Sequence, residues 1–161
     1  MGSGGADEVE AALADHAAFE RLEHGYRLKT VDFESDIRPR DDTLQVRVWL
    51  PTLAAVVTGE EVAAIVEKDW FETLRRRLLE GYDVAISEHT SDAEVVRQGD
   101  EITVTYEIDA SSPSTAVDDA KALIEFAIGT YVQSAIPGYT YDAPLGDLLE
   151  TALDRGQQPS G

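Results

Sequence analysis

The chain has no cysteine among its 161 residues, and that absence excludes several classes of protein. Disulfide scaffolds, zinc sites with cysteine ligands and thiol catalysis all require cysteine side chains. The sequence also lacks an apolar run of the roughly 18 residues that a membrane span needs. Its first residues lack the basic and apolar segments of a signal peptide. We therefore expect a cytoplasmic protein that does not associate with membranes.

Basic residues are scarce, and lysine is the scarcest of them. Three Lys and ten Arg stand against 16 Asp and 16 Glu, which gives a net charge of −19. The acids are spread along the whole chain, whereas a disordered acidic tail would show one block of like charge. A surface poor in Lys and rich in Asp stays hydrated in concentrated salt. We expect a halophilic protein that requires high KCl to fold, and the acidity argues against nucleic-acid binding.

The sequence lacks the residue spacings that mark common catalytic and metal sites. His16, His24 and His89 are too far apart in sequence to form a local metal motif. Neither a nucleophile elbow nor a calcium loop is present. Acids occupy about a fifth of the positions, so pairs of carboxylates four residues apart arise by chance. We predict no catalytic residue, no metal and no cofactor, and we favour a protein that is not an enzyme.

Hydrophobic patterning predicts the element order α-β-β-α-β-β-β-α-α. The clearest strand is 44–50, where Leu44, Val46, Val48 and Leu50 alternate with more polar residues. Capping residues and helical periodicity place the helices. The predicted strands cover 19–37 (including a hairpin turn at 24–25), 44–50, 82–89, 93–97 and 101–109. The first predicted helix begins at 7, and the other predicted helices cover 58–80, 111–136 and 144–155.

Short turns between successive strands predict an antiparallel sheet, and the alternation predicts that one of its faces is buried. Helices packed on that face would give an α+β two-layer sandwich with a sheet of about five strands. No linker or repeat divides the chain, so we predict a single domain over 6–155. The residues at 1–5 and 156–161 are predicted to be flexible tails.

One candidate interaction face contains Arg47 and Trp49. Both residues alternate with the apolar stripe of strand 44–50, so they are predicted on the solvent side of the sheet. Exposed Trp beside Arg is typical of binding hot spots. The alternative is that the last helix, or the segment at 139–141, packs over Trp49, since large aromatic residues are mostly buried.

A candidate pocket contains Tyr139, Tyr141 and Arg77. Two Tyr at a spacing of two on an extended segment could direct their hydroxyls at a ligand, although they also suit a rigid crossing between helices. Arg77 ends the basic cluster 75–77, which could meet phosphate or an acidic partner. The alternative for this cluster is a ladder of ion pairs in which Arg76 bonds Glu72 and Glu80.

Three runs of sequence resemble those of a small family confined to haloarchaea and known only as a domain of unknown function. The runs are Gly-Tyr-Arg-Leu at 25–28, Trp-Phe-Glu-Thr-Leu at 70–74 and Tyr-Val-Gln-Ser-Ala-Ile-Pro-Gly-Tyr at 131–139. The resemblance implies a haloarchaeal origin and supplies no activity or catalytic residue. By element order, the fold also resembles small α+β binding domains of the secretion-chaperone and sensory-regulator kinds, a likeness that says little about function.

Two functional interpretations follow from these observations. The first is a non-enzymatic binding module that recognises a protein partner through the face at Arg47 and Trp49. The alternative is a small-molecule-binding protein or enzyme, with a pocket between the helices and the sheet lined by Arg77, Tyr139 and Tyr141. The first interpretation is favoured because no catalytic set is visible.

Overall fold

A computed structural model describes residues 3–157 of the chain, and the side chains of residues 7–151. Its helices are α1 (Ser3–Asp15), α2 (Leu53–Val56), α3 (Ala64–Leu78), α4 (Pro113–Gln133) and α5 (Leu145–Gln157), with a 3-10 helix at Gly81–Val84. Its strands are β1 (Phe19–Leu22), β2 (Gly25–Leu28), β3 (Ser35–Arg40), β4 (Thr43–Pro51), β5 (Val57–Thr58), β6 (Glu94–Gln98), β7 (Glu101–Asp109) and β8 (Thr140–Tyr141).

Six of these strands form one antiparallel sheet in the order β1-β2-β3-β4-β7-β6. The two longest strands, β4 and β7, pair along their full length from Thr43 opposite Asp109 to Pro51 opposite Glu101. Alternate residues of both strands are fully buried, as the period of two requires when one sheet face is covered. The predicted α+β fold with an antiparallel sheet is therefore confirmed, with six strands in the sheet where about five were expected.

The helical layer covers the apolar face of the sheet, which we call the inner face. Helix α4 lies against β4 and β7, while α1 and α3 pack beside it. Pro113 opens α4 at a position where the missing N–H costs nothing. Two buried tyrosines tie the layers together: the Tyr131 hydroxyl donates to the Pro51 carbonyl (2.9 Å), and the Tyr106 hydroxyl donates to the Leu78 carbonyl (2.6 Å). Burial raises the pKa of both phenols.

The segment at 82–89 is not the strand that its alternation predicts. It begins within the 3-10 helix and continues as an irregular chain, and only His89 forms a bridge, with Ile108. The cause is the buried carboxylate of Asp119 on α4, which accepts hydrogen bonds from the backbone N–H groups of Ile86 (2.9 Å) and Ser87 (2.8 Å). Those two donors are satisfied by the side chain, so the segment does not need a strand ladder.

The predicted helix at 58–80 also begins later than expected. Thr52, not Thr58, accepts the capping bond at the start of the short helix α2, and α3 begins at Ala64. Val57 and Thr58 are extended rather than helical, because they pair with Tyr141 and Thr140 across the small sheet β5-β8. Beyond that point α3 is continuous to Leu78.

The strand predicted to continue from the hairpin turn to 37 is divided in two. β2 ends at Leu28, and β3 begins at Ser35 after an irregular stretch. The Leu28 N–H donates to the Ser35 hydroxyl (3.0 Å), so a side chain closes this corner of the sheet.

The chain ends are helical as far as the structure describes them. α1 begins at Ser3 and α5 reaches Gln157, so both helices extend into the ranges predicted as tails. The remaining positions of those ranges, 1–2 and 158–161, lie outside the described residues. Within the described part of the chain, no helix has both the length and the apolar character needed to cross a bilayer.

Candidate functional site

The outer face of the sheet, opposite the helical layer, places Arg47 and Trp49 side by side. Both side chains are partly exposed, whereas the alternate residues of β4 are fully buried. The segment at 139–141, which could have covered Trp49, instead pairs with β5. The pattern in β4 therefore places both residues on the face where the sequence predicted them, and their role in binding stays a prediction.

Arg47 is held in place by an acid that the sequence analysis did not select. Asp36 lies opposite Arg47 in the β3–β4 register, and one of its oxygens is 3.4 Å from an Arg47 terminal nitrogen and 2.7 Å from Arg38 Nε. The Asp36 side chain is only 8% exposed. The guanidinium carbon of Arg47 is 5.6 Å from the centre of the Trp49 ring, within the range of a cation–π contact. Arg47 thus contacts Asp36 on one side and the Trp49 ring on the other.

The absence of a side chain at Gly25 leaves space for Asp36, which lies beside Arg38 and Arg47. A Cβ atom at Gly25 would lie 2.6 Å from Asp36 Oδ1 and 2.9 Å from the backbone oxygen of Ile37. The run at 25–28 that contributes to the family resemblance therefore begins with a residue whose lack of a side chain lets Asp36 sit within the sheet surface. The alternation of 36 and 38 on one face was the available sequence signal for Asp36.

A shallow hollow of about 220 Å³ adjoins the Trp49 ring. Its other lining residues are Phe33 and Leu50, whose side chains are buried, Pro51, which is partly buried, and four acids. These acids are Asp32, Glu34, Asp100 and Glu101. An aromatic surface with an acidic rim suits a cationic side chain, because ring and carboxylates attract positive charge together.

A separate groove of about 410 Å³ lies between α3 and the end of α4. Arg77 is among its lining residues, as the predicted pocket requires, but Tyr139 and Tyr141 are not. The apolar lining consists of Val66, Trp70, Leu74 and Ile136; the polar lining consists of Asp69, Thr73, Arg77, Gln133 and Ser134. The groove therefore runs between two helices, whereas the sequence placed the pocket between the helices and the sheet.

The two tyrosines of the predicted pocket lie beside each other, with ring centres 6.4 Å apart. The Tyr141 hydroxyl accepts from the Ile136 N–H (2.7 Å) and donates to the Ile136 carbonyl (2.9 Å). Burial is the main cause of the raised pKa of Tyr141. Its hydroxyl therefore closes the turn after α4, and a ligand role for either tyrosine remains a prediction.

The basic cluster does not form the predicted ladder of ion pairs. Among the described side chains, Arg76 makes no ion pair with Glu72 or Glu80 within 4.0 Å, and its one side-chain hydrogen bond is to the Thr73 hydroxyl at 3.5 Å. All three arginines are exposed. The ladder does not form because an ion pair between exposed side chains gains too little energy to hold two long side chains in one geometry.

The remaining candidates for chemistry are dispersed. The described residues contain no cluster of three His, Asp or Glu side chains suited to a metal ion. His89 stacks on Tyr82 with ring centres 4.4 Å apart, while His16 accepts a backbone bond from Ala18. Burial is the main cause of the raised pKa of Tyr82.

Comparison with known proteins gives a family and no activity. No curated protein matches the chain at a significant level. One family pattern matches residues 14–151, which spans every strand of the main sheet and α2, α3 and α4 completely. A match over most of the chain shows membership, and the chain therefore belongs to the family of unknown function DUF5813.

Proposed function

We propose that this protein is a non-catalytic interaction module that binds a protein partner through the outer face of its sheet. The observation that carries the proposal is the Arg47–Trp49 stack, which is partly exposed and anchored by buried Asp36. Trp and Arg are the residue types most enriched among binding hot spots. Because Asp36 already fixes Arg47, little side-chain entropy remains to be lost on binding.

The chemistry around the stack points to a partner with a basic side chain beside an acidic one. A Lys or Arg of the partner would enter the hollow next to Trp49, where the lining is aromatic and acidic. A partner carboxylate would meet the row of arginines on β3 and β4, which consists of Arg38, Arg40 and Arg47. Mixed charge of this kind selects a partner and its orientation more than it raises affinity.

We propose that this binding takes place in a cytoplasm rich in KCl, in a haloarchaeal cell. The net charge of −19 and the excess of Asp over Lys support that setting. At about 1 M salt the Debye length is near 3 Å, so charges act only at contact distance. Recognition would then depend on the packing of Trp49 and on direct ion pairs rather than on long-range attraction.

The experiment is an affinity purification in molar KCl with four forms of the tagged chain. These are the wild type, Trp49→Ala, Arg47→Ala and Ile65→Ala. Ile65 is the matched control because it is a large apolar residue, 63% exposed, that lies on α3 away from the outer face. We expect one stoichiometric partner that Trp49→Ala and Arg47→Ala lose by at least about tenfold, as hot-spot truncation implies.

Two further readouts make the result decisive. Circular dichroism must show the same folded spectrum for all four forms, and the recovered partner must bind the wild type again when both are purified. An equal recovery with Trp49→Ala and with wild type would place the contact elsewhere and overturn the proposal. The absence of any stoichiometric partner would overturn it as well.

A second candidate function is the binding of a small molecule in the groove between α3 and α4. The observation in its favour is the groove itself, whose 410 Å³ lies within the range of roughly 300–1,000 Å³ that ligand pockets occupy. Val66 and Ile136 supply partly exposed apolar lining above the nearly buried Trp70, and Arg77 is the cationic group of the lining. This candidate would not require the outer face, so the two functions can be tested independently.

A further inference from the structure

We propose that the groove between α3 and α4 binds an amphipathic anion, with the apolar body of the ligand on Trp70 and its carboxylate or phosphate on Arg77. This inference rests on the second candidate function and names the ligand class for it. It is carried by two independent features, an arginine cluster that forms no ion pair with the described side chains and an aromatic groove that adjoins it.

The first feature is positive charge that the described residues leave unpaired. Arg77 is exposed, and it lines an adjoining cavity together with Glu80. Yet Arg77 forms no ion pair within 4.0 Å among the described side chains. It therefore keeps a guanidinium fork whose five donors match an anionic head group.

The second feature is an aromatic floor with a fixed orientation. Trp70 is nearly buried, and its indole Nε1–H donates to Ser134 Oγ at 3.0 Å. Ser134 in turn donates to the Tyr131 carbonyl. The polar atom of the indole is satisfied by this chain of bonds, so the small part of Trp70 that the groove exposes is apolar, and the partly buried Val66 and Ile136 extend that surface. An apolar ligand body would displace water there without breaking a hydrogen bond.

The direction of the ligand follows from the spacing of the polar lining along α3. Asp69, Thr73 and Arg77 recur every four residues, so they follow one face of the helix beside the groove. Asp69 and Arg77 are eight residues apart, which is about 12 Å along a helix. The single carboxylate of the lining is therefore at the opposite end from Arg77. An anion would bind at the Arg77 end, with the Thr73 hydroxyl available as a further donor.

The probes are three naphthyl compounds that differ in head group. Naphthoate carries a carboxylate, naphthyl phosphate carries a phosphate monoester, and naphthylmethanol is the neutral analogue. Binding is measured in molar KCl by calorimetry and by the NMR signal of the Trp70 indole N–H. A Trp49→Phe variant assigns that signal, since the chain has only two Trp.

We expect at least one anion to shift the Trp70 signal and to bind about tenfold more tightly than naphthylmethanol, as a charge-assisted pair allows. Arg77→Gln should lower the affinity for the anion to that of the alcohol and leave the affinity for the alcohol unchanged. Arg75→Gln is the matched control, because it removes the same charge from the same helix turn but lines a different cavity, with Tyr82 and His89. It should change anion affinity by less than about twofold.

The outcomes separate the ligand class from the existence of the site. Equal binding of the alcohol and both anions would overturn the anion proposal and leave a small-molecule site standing. Equal losses in Arg75→Gln and Arg77→Gln would overturn it too, because net charge rather than a site would then be responsible. If none of the three probes shifts the Trp70 signal, both the inference and the second candidate function are wrong.

Discussion

Gly81 shows how a single residue without a side chain can set the packing between a helix and the sheet. A Cβ atom there would lie about 2.5–2.6 Å from the ring and hydroxyl atoms of Tyr106. The Tyr106 hydroxyl donates to the carbonyl of Leu78, the last residue of α3. The absence of a side chain at Gly81 thus lets the sheet reach the end of α3 and satisfy an acceptor that the helix leaves open.

Substitution of two glycines should therefore change stability in opposite directions. Gly81→Ala should lower the free energy of unfolding by about 1–3 kcal/mol, because the new methyl group displaces Tyr106. Gly129→Ala should raise it by about 0.5–1 kcal/mol, because Gly129 is an exposed position of α4 and the new Cβ would meet no atom within 4 Å beyond its chain neighbours and the backbone of its own helix. Urea unfolding in molar KCl measures both. A stabilising Gly81→Ala would show that Tyr106 is not held against this backbone.

The period of two in β4 was enough to place Arg47 and Trp49 on the outer face, since a strand reverses its side chains at every residue. The same argument could not choose Asp36, because its importance depends on the β3–β4 register, which brings it opposite Arg47. The groove was beyond prediction for a related reason. It combines Trp70 with Ser134, 64 positions away in sequence, and no local pattern specifies how two helices cross.

At the scale of elements, local patterns identified the helices and the longest strands better than the segments between them. Regular alternation predicted the ends of β4 and β7 to within a residue or two. The stretch at 82–89 also alternates, but Asp119 on α4 binds its backbone and prevents a ladder. Thr58 is a residue type that caps helices, but it pairs with Thr140 across β5 and β8 instead. Each failure is a long-range contact that overrides a local preference.

Asp119 should accordingly control the order of the segment before β6. Its side chain is buried, and both of its oxygens accept backbone bonds, so Asp119→Ala leaves two donors without partners. We expect a loss of about 1–3 kcal/mol in unfolding free energy, and faster hydrogen exchange at Ile86 and Ser87. Strands β4 and β7 should keep their protection.

Asp118→Ala is the control for that experiment, because it removes the neighbouring acid, whose side chain is 73% exposed. Its effect on stability should lie within about 0.5 kcal/mol, as for most surface substitutions. Unchanged exchange at Ile86 and Ser87 in Asp119→Ala would mean that other contacts hold the segment, and that the carboxylate is not the reason the strand fails to form.

For the whole molecule, the dominant quantity is the excess of negative charge. Few of the 32 acids have a cationic partner: the described side chains include only four Asp or Glu paired with Arg or Lys, namely Glu20, Asp36, Glu67 and Glu125. The others repel one another over a range set by the salt. The Debye length is about 10 Å at 0.1 M and about 3 Å at 1 M, so dilute buffer exposes the folded state to this repulsion.

The fold should therefore lose stability as KCl is removed, and the loss should depend on net charge. We expect the circular dichroism spectrum to be native at about 2 M KCl and the unfolding temperature to fall steadily toward 0.1 M. The double variant Glu60→Gln, Glu61→Gln removes two exposed acids and changes the net charge from −19 to −17. Its unfolding temperature should fall less over the same range, because less repulsion remains to be screened. If both proteins were equally stable at the two salt concentrations, repulsion among the acids would not limit this fold, and the proposed high-salt setting would lose its physical basis.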